Sequence, residues 1–153
     1  MAKEQQVQVR EIMTVRTAKI RHKASLHEAA ELLAVTRVSD LMVIDDEDNF
    51  FGVLSEGDIL RSALPDVDEI VAEGGSLDTA FEIFVKKGKK LSELPITPLV
   101  IREPIEVDPD DHVAKATTVL LEKQIHLLPV VKDGKLVGTV SRADVCGAIV
   151  GTI

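Results

Sequence analysis

The chain has 153 residues, 45% hydrophobic and 29% charged, with a formal net charge of −8. That balance is globular rather than disordered, and its acidity argues against a duplex-binding protein held by phosphate contacts. With no Trp, no Tyr and four Phe it lacks stacking platforms for single strands, and no run approaches the roughly 18 apolar residues of a membrane span. Nucleic acid and membrane are therefore not expected partners. The polar start, residues 1–6, lacks the apolar core of a secretory signal. The one cysteine, Cys146, cannot form an internal disulfide, which fits a reducing, cytoplasmic setting. It is expected to be a packed small residue on a helix.

Residues 1–8 read as a loose or partner-bound tail. Val9 to Thr14 suits a short helical entry, and Ala18 to Arg21 a short strand. Ser25 with Glu28 three residues on forms a capping-box signature. Leu26, Ala29, Ala30, Leu32 and Leu33 follow at the spacing of a buried helical stripe. Leu41 to Ile44 is a continuously apolar strand, buried on both faces. A polar turn, Asp45 to Asn49, leads to a returning strand, Phe50 to Leu54. A helix from about Glu56 to Leu64 closes the first unit.

Residues 65–90 break the pattern, punctuated by Pro65-Asp66 and Gly74-Gly75. An amphipathic helix between Ser76 and Lys87 carries Leu77, Ala80, Phe81, Phe84 and Val85. Lys86-Lys87-Gly88-Lys89-Lys90 is expected to end it, with cations where the helix dipole favours them. This insertion, with Phe81 and Phe84, reads as a partner surface or a lid.

The first unit's order then recurs. Leu91 to Leu94 matches the entry segment, Pro104 to Val107 the short strand, and Asp110 or Asp111 a helix cap. Val113, Ala116, Val119, Leu120 and Leu121 form the helical stripe. Leu127 to Val131 is the buried strand, Lys132 to Lys135 the turn, and Leu136 to Val140 the return. Leu26 aligns with Val113 and Val43 with Val130, an offset of 87; Gly52 aligns with Gly138 and Asp58 with Asp144, an offset of 86. Each return strand runs into Gly-x-x-Ser-x-x-Asp, at Gly52 to Asp58 and Gly138 to Asp144. The glycine permits close approach of another backbone or a ligand. The serine is a natural N-cap, and the aspartate falls in the first helical turn, at the positive end of the dipole. A duplicated unit points to two halves that bury a face against each other.

Two such units, with Leu-Pro-Val-Val in the second buried strand and the Gly-x-x-Ser-x-x-Asp turn in both, resemble a pair of cystathionine-β-synthase (CBS) domains. The resemblance covers about residues 9–62 and 91–151, with 63–90 as a helical linker. The second copy follows the family pattern at Val107 to Asp111, Ile125 to Val131 and Asp133 to Gly138. The first departs from it, with His22 where a proline is usual and Met42 where Pro129 stands. The resemblance implies an α/β (α+β) fold of two β-α-β-β-α repeats packed about a pseudo-twofold axis. It implies a regulatory module that dimerises, acts on a separate regulated protein, and binds an adenosine-containing ligand in the cleft between repeats. AMP, ADP or ATP lead; S-adenosylmethionine or NADH would share the ribose contacts. No cofactor is required.

Under that resemblance Asp58 and Asp144 would accept from the ribose hydroxyls, as carboxylates can. Ser55 and Ser141 would hold ribose or phosphate beside free backbone N–H groups. His126, just before its strand, and Arg142 would face phosphate. Their first-copy counterparts are Ser39, beside Asp40, and Glu56, so phosphate is expected to lean toward the second copy. Pro104, Ile105 and Leu128 would flank adenine. Each residue also has a plain structural alternative, as a cap, a solvated charge or core packing. No catalytic set is legible: His22, His27, His112 and His126 lack metal-ligand spacing, no Gly-Lys-Ser/Thr phosphate loop and no Gly-x-Ser-x-Gly elbow occur, and no enzyme is expected.

Overall fold

The structure is a computed structural model that describes residues 7–151. The first half contains α1 (Val9–Ile12), β1 (Lys19–Arg21), α2 (Leu26–Thr36), β2 (Asp40–Ile44), β3 (Phe50–Ser55) and α3 (Glu56–Ala63). Two helices follow, α4 (Val67–Ala72) and α5 (Leu77–Leu91). After a 3₁₀ turn at Thr97–Leu99 come α6 (Val113–Glu122), β4 (Leu127–Lys132), β5 (Lys135–Ser141) and α7 (Arg142–Val150). β1 runs parallel to β2, and β2 antiparallel to β3, in one sheet; β4 and β5 form an antiparallel pair in the other. The chain is thus a mixed α/β protein built from two similar halves. Among the described residues no helix is long and apolar enough to cross a membrane.

Helix starts follow the local chemistry. Ser25, Ser55, Asp66, Ser76 and Ser141 each accept from a backbone N–H three residues on, satisfying donors that a helix leaves free at its start. Glu28 does not close a full capping box; it takes a 3.5 Å contact from the Ser25 hydroxyl instead. α6 is capped neither by Asp110 nor by Asp111. His112 Nδ1 accepts from the Ala114 N–H at 2.9 Å, while Asp111 accepts from the Asp108 N–H and closes the preceding turn. The expected strand over Pro104 to Val107 reduces to one bridge, Val107 with Val130, since Pro104 has no N–H to give a ladder. α4 was not signalled, and α5 runs through Gly88 to Leu91 rather than ending in its lysines. The cost of a helical glycine, about 1 kcal/mol, is offset because Leu91, at the end of α5, packs against the first core.

Two apolar cores form, and they exchange their entry segments. Val9 and Ile12 of α1 pack with Val107, Ala116, Leu120, Leu128, Val130, Val140 and Val145 of the second half. Ile96 and Val100 pack with Leu26, Ala29, Leu41, Val43 and Leu54 of the first. Ile96 to Leu99, not Leu91 to Leu94, is therefore the counterpart of α1, with Pro98 tightening it to 3₁₀ geometry. The main chain repeats the exchange. Val113 N–H donates to Val7 and Leu26 N–H to Leu94, while Thr14 bridges Thr139 and Ile101 bridges Val53. Of the expected tail, residues 1–6 lie outside the described residues, and Gln8 is bridged to His112. Alternation along the strands sends Met42, Val53, Pro129 and Thr139 to the opposite face from the helices, and all four are buried.

Candidate functional site

A cleft of about 410 Å³ opens where the two halves meet. Asp40 and Val53 line it from the first half, Ile101, Glu103, Pro104 and Ile105 from the connecting segment, and Gln124 to Leu127 with Pro129 from the second half. The size suits a small-molecule ligand. Its walls are mostly apolar, with Asp40, Glu103, Gln124 and His126 as polar points. The segment carrying Ile101 is held close because Gly52 has no side chain. A Cβ there would lie 2.2 Å from the Ile101 carbonyl oxygen.

Three of the expected site residues, Pro104, Ile105 and His126, line this cleft. Leu128 does not. It is fully buried in the second core, because strand alternation turns Leu127 and Pro129 to the cleft and Leu128 away. Arg142 lies beside the wall rather than open to the cleft, donating to the carbonyls of Leu120 at 3.0 Å and Ile125 at 3.3 Å. Ser39 donates to Asp40 at 2.8 Å. Cys146 is exposed, not packed.

The two motif aspartates differ. In the second half Asp144 accepts from Ser141 N–H at 2.8 Å and from the Thr14 hydroxyl at 3.1 Å, and Ser141 accepts from Asp144 N–H at 3.1 Å. In the first half Asp58 Oδ1 accepts from Arg61 at 2.6 Å, and Ser55 accepts from Asp58 N–H at 3.1 Å. The other oxygen of Asp58, Oδ2, is buried without a partner in the chain. The repeat offsets explain the contrast. Thr14 bridges Thr139 as Ile101 bridges Val53, so Ile101 stands where Thr14 stands and offers no hydroxyl. A buried carboxylate oxygen without a donor is costly.

Asp40, which the sequence marks only as an acid beside Ser39 that disfavours phosphate, itself lines the cleft. Burial pushes its carboxyl above the ordinary 3.8, opposed by the Ser39 hydrogen bond and the charge of His126, and reinforced by Glu56 and Asp58. Its signal was present: Asp40 occupies the place of Leu127, a carboxylate opening a buried strand. Ile101, Glu103 and Gln124 carried no comparable mark. Among the described residues no group of His, Cys, Asp and Glu could hold a metal ion.

A family model described as the CBS domain matches residues 9–65 and again 96–151. The uncharacterized protein MJ1404 of Methanocaldococcus jannaschii is 32% identical over 90% of this chain and 30% of its own length. The chloroplastic CBS domain-containing protein CBSX2 of Arabidopsis thaliana is 32% identical over 84% of this chain and 57% of its own. The chain thus spans from under a third to just over half the length of these relatives. A crystal structure of CBSX2 in complex with AMP superposes with a TM-score of 0.71 at 28% identity, covering 95% of this chain and 97% of that one.

Proposed function

We propose, from the premise that the chain belongs to the CBS domain family and carries the domain as a tandem pair, that it is a regulatory module binding an adenosine-containing ligand between its repeats. Residues 9–62 and 91–151 are the two domains in this reading, with 63–90 as the insertion. The observation that carries it is the cleft of nucleotide scale between the halves, taken with the orphaned, buried Oδ2 of Asp58, which does not line the cleft but whose carboxylate acts on the charge of Asp40 in its wall. A ribose hydroxyl would supply the missing donor. Pro104 and Ile105 offer an apolar flank for the base, and His126 an imidazole N–H for phosphate. The CBSX2 structure with AMP makes AMP, ADP and ATP the first ligands to try; S-adenosylmethionine and NADH share the ribose. Occupancy would change how the halves sit, and the signal would pass to a regulated protein or to oligomeric state.

In the second half the matching groups are already engaged, Asp144 by Ser141 and Thr14, and Arg142 by carbonyls. That favours a structural role for them and gives some weight to a competing reading, a dimerisation scaffold without a nucleotide. Thermal-shift titration with AMP separates the assignments. Asp58→Ala is expected to abolish the AMP-dependent rise in Tm, while Asp144→Ala lowers the unliganded Tm and keeps the AMP response. The opposite pattern would move the ribose site to the second half.

A further inference from the structure

The hairpin of α4 and α5 carries an apolar surface that the nucleotide reading leaves unused. α5 has Leu77, Phe81 and Val85 at i, i+4 and i+8, one seam along the helix, and Leu77 and Phe81 are 90% and 67% exposed. Phe81 also edges an open hollow of about 300 Å³, walled by Leu64, Pro65 and Ile70 on one side and by Ala80 and Phe84 on the other. Val67, one turn before Ile70, extends the patch and is 74% exposed. The hairpin is anchored elsewhere. Leu91, at the end of α5, packs against the first core, and Lys87 of α5 pairs with Glu69 of α4 at 2.5 Å. A concave apolar surface held open on a fixed helix pair marks an interaction site.

Charge selects the occupant. Residues 62–85 hold six carboxylates, Asp66, Asp68, Glu69, Glu73, Asp78 and Glu82, and no Lys, Arg or His. Lys87 answers Glu69. Asp68, Asp78 and Glu82 are exposed and have no ion-pair partner among the described residues. At 100° per residue Asp78 and Glu82 border the seam of Phe81, and Asp68 directly follows Val67. Such a rim is repelled by an anionic bilayer, and the same hairpin of a second copy would set acid against acid. It complements a segment that has Lys or Arg beside its apolar anchors. An amphipathic helix lays such anchors into a groove at i, i+3 and i+4 spacing.

We propose that the outer face of the α4–α5 hairpin docks a basic amphipathic helix of another protein, with apolar anchors in the hollow beside Phe81 and Lys or Arg side chains on the acidic rim. The contact is separate from the cleft, so it is tested without nucleotide and stands or falls independently of the ribose assignment. The probe is a labelled synthetic helix of about four turns, with Leu along one face and Lys on both flanks, read by fluorescence anisotropy against the full chain. A twin with Glu in place of each Lys is the control. Saturable binding is expected for the Lys peptide and none for its twin. Phe81→Asp adds a negative charge, so attraction to net charge alone would strengthen binding; docking at the hollow instead weakens it roughly tenfold. Leu77→Asp, at a more exposed position of the same seam, gives the same readout should Phe81→Asp lower the Tm. Asp78→Lys with Glu82→Lys is expected to lose the Lys peptide and gain the Glu twin. No binding of the Lys peptide, equal binding of both peptides, or binding undiminished in both seam variants would overturn the proposal. A fall in the mass of the chain in Phe81→Asp, seen by light scattering without any peptide binding, would give the face to a second copy and overturn it too.

Discussion

Asp58 and Asp144 occupy one position of a repeated motif, yet their chemistry is decided by residues far off in the chain, Ile101 for the first and Thr14 for the second. Thr14 gives Asp144 a donor, and Ile101 withholds one from Asp58. Asp144→Ala is accordingly expected to cost about 1–2 kcal/mol of stability through the lost cap and hydroxyl bond, read as a fall in chemical-denaturation free energy. Ile101→Thr should stabilise the unliganded chain by giving Asp58 a partner, and weaken AMP binding by competing for it; unchanged affinity would break the link between the orphaned oxygen and the ligand. Asp40 makes a prediction with pH. Its folded carboxyl titrates above the unfolded one, so its ionisation in the fold costs stability above that value and the cost disappears as pH falls through it. A phosphate in the cleft would favour the protonated form further, so AMP affinity should rise as pH falls through the range in which Asp40 takes up its proton. Asp40→Asn keeps an acceptor for Ser39. It should tighten AMP binding at neutral pH about fivefold, on the order of 1 kcal/mol, and flatten the pH profile. Weaker binding in this variant would contradict placing phosphate near Asp40.

Among the elements, those carrying their own local signals were legible in sequence. Ser25, Ser55, Ser76 and Ser141 announce their helices, and the apolar runs at Leu41 and Leu127 announce their strands. Elements settled by distant contacts were not. Pro104 to Val107 resembles a strand but has a single bridge, and α5 continues past its glycine because Leu91 packs against the first core. The site divides the same way. His126, Pro104 and Ile105, which the family resemblance nominated, line the cleft, but the free oxygen of Asp58 depends on Ile101, and Leu128 was lost to strand alternation. Gly52 belongs to this scale as well. Gly52→Ala would drive a Cβ into the Ile101 carbonyl oxygen and force β3 off the connecting segment. We expect a loss of about 2–3 kcal/mol, with AMP binding weakened because Ile101 lines the cleft. A neutral Tm would mean that the close approach is relaxed at little cost.

In the whole molecule, the exchange of entry segments makes the two halves a single cooperative body. Val9 and Ile12 are buried in the core of the second half, and Ile96 and Val100 in the core of the first. Residues 91–151 alone would lack two of their own core side chains, each a cavity of the kind that costs about 2–5 kcal/mol. That fragment is expected to be largely unfolded by circular dichroism and to gain structure on mixing with residues 1–90. A cooperative melt of the fragment alone would contradict the exchange.

The measurement that bears most directly on the central claim is isothermal titration calorimetry of nucleotide-stripped full chain against AMP. Saturable binding is expected, disappearing in Asp58→Ala and persisting in Asp144→Ala. Heats that do not saturate with AMP, ADP, ATP, S-adenosylmethionine or NADH would contradict it and leave the fold as a scaffold for protein contacts.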